Sequence, residues 1–223
     1  MIILIKLAGF LFLFILVLYV VIQPVLGYKV EISDFEAELQ RINENRKKFQ
    51  LTLVLALIHN VSVITLTITL FLVFGPPYNI ILGIVLLICR IGEGLILISN
   101  DKNYGSFLKI AGKYSSSDSA EKSSLIDLAR TTTKAIGSRF KFAMILWTIG
   151  NLAFSIVLIT YGVAPIFIGW LGIVASILIG LDNVIGLKKP NLKTKTSFRV
   201  LLIVGGLSAI SFEVIIGIFL LFF

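Results

Sequence analysis

The chain has one cysteine, Cys89, and one histidine, His59, in 223 residues. A single thiol has no partner for an intrachain disulfide or a CxxC redox pair, and the two residues together fall short of a structural zinc site. The HExxH helix, the GxSxG elbow and the Gly-rich P-loop are all missing, so the locally legible templates for metalloprotease, serine hydrolase and nucleotide chemistry fail. No cofactor is implied. Charged residues make up only 14% of the chain, well under the roughly one quarter of a soluble domain.

What fills the chain instead is apolar: 57% hydrophobic residues with a mean hydropathy of +1.02. A span across about 30 Å of hydrocarbon takes about 20 apolar residues as a helix. Six runs meet that length: 2–26, 51–74, 80–99, 142–161, 164–186 and 200–222. Run 2–26 is longer than a signal-peptide core and no small-x-small cleavage site follows it, so it counts as a span, with Pro24 marking its exit. The expected fold is all-α, a polytopic bundle of about six transmembrane helices forming a single domain over 1–223. The segments Gly75-Pro76-Pro77-Tyr78-Asn79 and Gly162-Val163 read as turns that force antiparallel hairpins.

The formal charge of +8 is placed asymmetrically. All of the 20 Lys and Arg except Lys6 and Arg90 fall in three loops, which six spans put on one side; the last of these loops carries Lys188, Lys189, Lys193, Lys195 and Arg199. This is the pattern of membrane orientation and not of a nucleic-acid surface. It makes the three loops cytoplasmic and both termini extracytoplasmic in a multi-pass protein of the cell membrane, with Lys6 weakly opposed. Two of the loops, 28–50 and 100–141, carry amphipathic signals. Phe35, Leu39 and Ile42 recur at helical spacing, with Arg46, Lys47 and Lys48 placed to meet lipid phosphates. Ser124 and Asp127 suggest a helix start, after which Leu125, Leu128, Thr132 and Ile136 share a face suited to the bilayer surface or to a partner.

Several short stretches carry a resemblance. They are Ile149-Gly150-Asn151-Leu152-Ala153-Phe154, Tyr161-Gly162-Val163-Ala164-Pro165 and Ile168-Gly169-Trp170-Leu171-Gly172-Ile173-Val174-Ala175, together with Arg90-Ile91-Gly92-Glu93-Gly94 and Phe212-Glu213-Val214-Ile215-Ile216-Gly217-Ile218. In their order along the chain they resemble the prokaryotic integral-membrane family catalogued as domain of unknown function 4386. The resemblance implies a six-span fold and supplies no reaction.

Ionisable groups inside spans are costly and are the first place to look for function. His59, Asn60, Arg90, Glu93, Asn151 and Glu213 fall within about two helical turns of the midplane, on four spans. Arg90 and Glu93 share a helix face, and Glu213 offers a second carboxylate from the last span. Two readings are open: a site for a small solute, proton or lipid group, or a structural ion and hydrogen-bond network that selects the packing. His59 and the two asparagines read first as interhelical hydrogen bonds. Asp182 reads as an interfacial residue near Lys188 and Lys189. Gly172, Ser176 and Gly180 form a small-residue ridge for close packing, within the chain or in a homo-oligomer.

The leading functional expectation is a non-enzymatic membrane protein that binds or conducts a ligand at this polar centre. A structural or partner-assembly subunit and an acid-dependent intramembrane hydrolase are the alternatives. Orientation is directly testable. In a Cys89→Ser background, Lys113→Cys should react with an impermeant maleimide only after the membrane is opened, and Val163→Cys should react in intact cells. The opposite labelling pattern would reverse the topology.

Overall fold

The computed structural model describes residues 1–29, 32–188 and 196–222, and no strand occurs among the described residues. Its elements are α1 (Ile2–Val20), a π-helical turn (Val21–Val25), α2 (Phe35–Glu44), α3 (Arg46–Tyr78), α4 (Ile80–Gly105), α5 (Phe107–Tyr114), α6 (Ser119–Thr160), α7 (Ile166–Lys188) and α8 (Thr196–Phe222). Among the described residues, six helices are long and apolar enough to cross a membrane. In lipid a spanning segment has no water for its N–H and C=O groups, and the helix satisfies them all internally.

The six spanning helices close into a ring. Each packs chiefly on two neighbours, in the order α1, α3, α4, α6, α7, α8 and back to α1. Glycine sets the closest approaches. A Cβ on Gly9 of α1 would lie 2.7 Å from the Gly217 carbonyl oxygen of α8, and one on Gly83 would lie 2.6 Å from the Gly75 Cα across the α3–α4 hairpin. That hairpin reverses at one residue. The turn expected over residues 75–79 shrinks to Asn79, because α3 runs on through Pro76 and Pro77 to Tyr78. Asn79 Oδ1 caps α4 by accepting from Leu82 N at 3.0 Å, and its Nδ2 donates to Tyr161 Oη of the next hairpin. The second expected turn is present, with Gly162 at φ +59°.

Toward the end of the bundle that carries these short turns, the inside of the ring is filled by aromatic rings. Phe12 stacks on Phe154 and meets Phe212 edge-on, both at 6.4 Å, and Phe74 lies 5.5 Å from Phe154. These four belong to α1, α6, α8 and α3, and all are buried. Together they plug that half of the ring.

The opposite, basic end carries a small protein cap. Helix α6 is a single 42-residue helix that leaves the membrane region and continues into the cap. Its start differs from the expected one: Asp118, rather than Ser124, is the N-cap and accepts from Glu121 N at 2.9 Å. The buried face of α6 is also rotated, to Leu125, Ala129 and Ile136, leaving Leu128 exposed. Those residues meet Leu39 and Ile42 of α2, Phe49 of α3, Tyr104 of α4 and Phe107, Ile110 and Tyr114 of α5 in one core. The apolar stripes of α2 and α6 therefore close on each other and on α5. Lys189, Lys193 and Lys195 of the third basic loop, and the side chain of Arg199, lie outside the described residues.

One buried charge fastens the cap to the end of α1. Glu38, 2% exposed, accepts from Lys29 Nζ at 2.7 Å and from the Arg41 guanidinium, and Arg41 Nη2 also donates to the Gly27 carbonyl at 3.1 Å. Gly27 permits the exit from α1 with φ +77°. Burial alone would raise the Glu38 pKa, but the hydrogen bonds from Arg41 and Lys29 outweigh it and hold the carboxyl below its ordinary 4.5. A depressed carboxylate stabilises the fold above its unfolded value and loses that contribution as pH falls through the folded one. The thermal unfolding midpoint in detergent should therefore fall on acidification below pH 4.5. Glu38→Gln should lower the midpoint at neutral pH and flatten this part of the acid response.

Candidate functional site

Between the phenylalanine plug and the cap lies a cavity of about 240 Å³ whose wall draws on all six spanning helices. Most of the wall is aliphatic, and the polar groups gather toward its two ends. Five of the six candidate residues read from the sequence, His59, Asn60, Arg90, Glu93 and Glu213, line this one space.

The deep end is built by α4, α6 and α8. Arg90 and Glu93, one helical turn apart, pair with Nη1 at 2.6 Å from Oε2 and are 7% and 3% exposed. The aliphatic stem of Arg90 passes over Gly150 of α6, where a Cβ would lie 2.7 Å from Arg90 Cγ. Its guanidinium stands 5.9 Å from the centre of the Trp147 ring, a cation–π contact that partly offsets desolvation. Glu213 of α8 lines the same space as this pair and Trp147. Its side chain is half-buried and lines the cavity. Two carboxyl groups thus face one guanidinium.

The outer end was largely missed by the sequence reading, which assigned residues from 100 onward to a loop. Helix α4 continues to Gly105 and carries Asp101 inside the bundle. Asp101 Oδ2 accepts from Asn60 Nδ2 at 2.7 Å and Oδ1 accepts from Tyr28 Oη at 3.1 Å. Asn60 Oδ1, which can only accept, takes a hydrogen bond from His59 Nδ1, 3.1 Å away. His59, Asn60 and Asp101 thus form a hydrogen-bonded relay along the wall. Asn100, 2% exposed, lines the same end; its Nδ2 donates to the Ile136 carbonyl and its Oδ1 has no hydrogen-bond partner. The available signal was the continuation of the Glu93 face through Leu97 to Asn100 and Asp101 at helical spacing.

Asn151 does not join the cavity. Its Nδ2 donates to Ser176 Oγ at 2.9 Å and to the Gly172 carbonyl at 3.3 Å, tying α6 to α7. The same contact settles where the Gly172, Ser176 and Gly180 ridge is used. Ser176 is fully buried, Gly172 is packed by Ser155 and Phe212, and Gly180 by Thr148, so the ridge packs against α6 and α8 within the chain. Asp182, expected at the interface, is 3% exposed within the protein.

The profile of one family, described as Domain of unknown function (DUF4386), matches residues 7–223, and the chain belongs to that family. No curated protein and no solved structure matches the chain.

The deep-end pair makes a quantitative prediction. Leaving one buried charge without its partner costs about 3–5 kcal/mol, whereas removing both charges is far cheaper. Arg90→Gln should therefore unfold at a lower temperature than the Arg90→Gln/Glu93→Gln double variant. A loss in the double variant equal to the sum of the Arg90→Gln and Glu93→Gln losses would show that the pair is not coupled.

Proposed function

As a member of a family with no assigned reaction, this chain has to be interpreted from its own site, and we propose that it is a non-enzymatic membrane protein that binds a small polar solute in the ring cavity for passage across the bilayer. The observation that carries this reading is the cavity itself: six spanning helices surround a space whose deep end holds Arg90, Glu93 and a cavity-facing Glu213. A network whose only role is packing has no need of an unfilled volume beside its charges, since a void costs stability in a packed bundle. A ligand that satisfies the groups facing the void recovers that cost.

The excess of basic residues at the cap end supports an orientation in which the cavity faces the cytoplasm and the phenylalanine plug faces outward, in the cell membrane. Arg90 and Glu93 would fix one end of the solute. Glu213, which has no ion pair among the described residues, would be the group that answers the ligand's arrival. His59 and Asn60 hold Asp101 in position and complete the wall.

Thermal-shift screening of the detergent-purified protein against small amines, sugars, amino acids and carboxylates should find a stabilising class. Removing one charge-assisted hydrogen bond costs about 1.5–3 kcal/mol, so Glu213→Gln and Arg90→Gln should each weaken binding by roughly tenfold or more. Binding and vesicle flux that survive both substitutions in folded protein would overturn the reading.

A further inference from the structure

The charges facing the cavity do not balance. Among the described residues, three carboxyl groups, Glu93, Glu213 and Asp101, share it with one guanidinium, Arg90, and Arg90 is already paired with Glu93. At the deep end this leaves Glu213 in excess. At the outer end Asp101 is held by neutral donors alone, Asn60 and Tyr28, and forms no ion pair among the described residues. Beside it Asn100 Oδ1 is a buried acceptor with no donor. An acceptor in that state, next to a carboxylate, lacks an N–H or O–H donor, and a carboxylate in an apolar wall lacks a cation.

The two ends are set apart by α4. Glu93 and Asp101 are eight residues apart, a rise of about 12 Å. The lining between them is mixed: Leu97 of α4, Val63 of α3, Met144 of α6, Ile179 of α7 and Ala209 of α8 are apolar, and α3 adds His59 and Asn60. The cavity thus presents two carboxylate ends joined by a largely apolar lining.

We propose, building on the solute-binding reading above, that the ligand class of this cavity is a linear organic dication, an α,ω-diammonium chain of the diamine or polyamine type. One ammonium sits on Asp101, the methylenes cross the space between, and the other ammonium sits on Glu213 beside the Arg90–Glu93 pair. The rise between the ends and an ammonium–carboxylate contact of about 2.8 Å at each put the two nitrogens about 6–12 Å apart, the reach of about four to eight methylenes. An anion is disfavoured by the net charge of the wall, and a monocation leaves one end unanswered. A bilayer lipid with an amine headgroup supplies one ammonium and likewise leaves one carboxylate unmatched.

The test uses the full-length protein in detergent and a series of unbranched α,ω-diaminoalkanes, each paired with the monoaminoalkane of equal length, with binding followed by titration calorimetry. The expected result is an affinity optimum within the series, with the best diamine bound at least tenfold more tightly than its matched monoamine. Asp101→Asn and Glu213→Gln, both near-isosteric, should each reduce that ratio to near one while leaving monoamine binding at the other carboxylate. The length series in the unaltered protein stands even if a variant does not fold. Equal affinities for diamines and monoamines, or no binding by any diamine, would overturn the dication. Binding of a neutral or anionic solute that is lost in Arg90→Gln would then keep the solute-binding reading and discard only the ligand class. Diamine binding unaffected by both carboxylate substitutions would place the amines elsewhere and overturn the site.

Discussion

The guanidinium of Arg90 is the costliest group to bury in this bundle, and the neighbouring helices are arranged around it. A charge at this depth needs a counter-charge, a path for its stem and a polarisable face. Glu93 supplies the first from one turn along α4, Gly150 supplies the second by having no side chain, and Trp147 supplies the third from the same helix as Gly150. The α4–α6 contact is thereby fixed at the depth where the two helices must meet. Because α6 also holds α7 through Asn151 and Ser176, one pairing decision in α4 propagates through half of the ring.

The long helices turn that local constraint into an assembly that includes the cap. Helix α6 carries Trp147 at the cavity and Leu125 and Ala129 in the cap core, so the two are parts of one rigid rod. Tyr28 makes the corresponding link from the α1 side: its ring lies 4.3 Å from Tyr104 in the cap, and its hydroxyl donates to Asp101 at the cavity. The Glu38 cluster holds the same segment through Gly27. The outer wall of the cavity is therefore set partly by residues outside the spanning region.

Hydropathy made the spanning helices legible because a bilayer admits few alternatives to an apolar helix. It made the midplane charges legible for the same reason, since Arg90, Glu93 and Glu213 stand out against leucine and isoleucine. It failed where helices outlast the membrane. Asp101 lies just past the apolar run that ends at Ser99 and so reads as solvated, yet α4 carries it on as wall. The capping box at Ser124 failed likewise, because the helix already starts at the Asp118 cap, and packing on α2 and α5 selects Leu125, Ala129 and Ile136 over Leu128 as its buried face. Asn151 was legible as interhelical glue, but only the packing shows that it points to α7 and away from the cavity. Periodicity places a residue on a face; it does not say which neighbour that face meets.

The plug formed by Phe12, Phe74, Phe154 and Phe212 has an electrical consequence. A transmembrane voltage drops most steeply across the driest, least polarisable stretch of a protein, and here that stretch is the aromatic half of the ring. Were the cavity hydrated from the basic side, its groups would sit close to the potential of that side, and a cation would reach Asp101 or Glu213 with little electrical work. Crossing the plug involves nearly the whole field, about 2.3 kcal/mol per charge for each 100 mV. Occupancy of the cavity would accordingly be almost indifferent to voltage, while any passage beyond it would be driven or blocked by voltage in proportion to the charge carried.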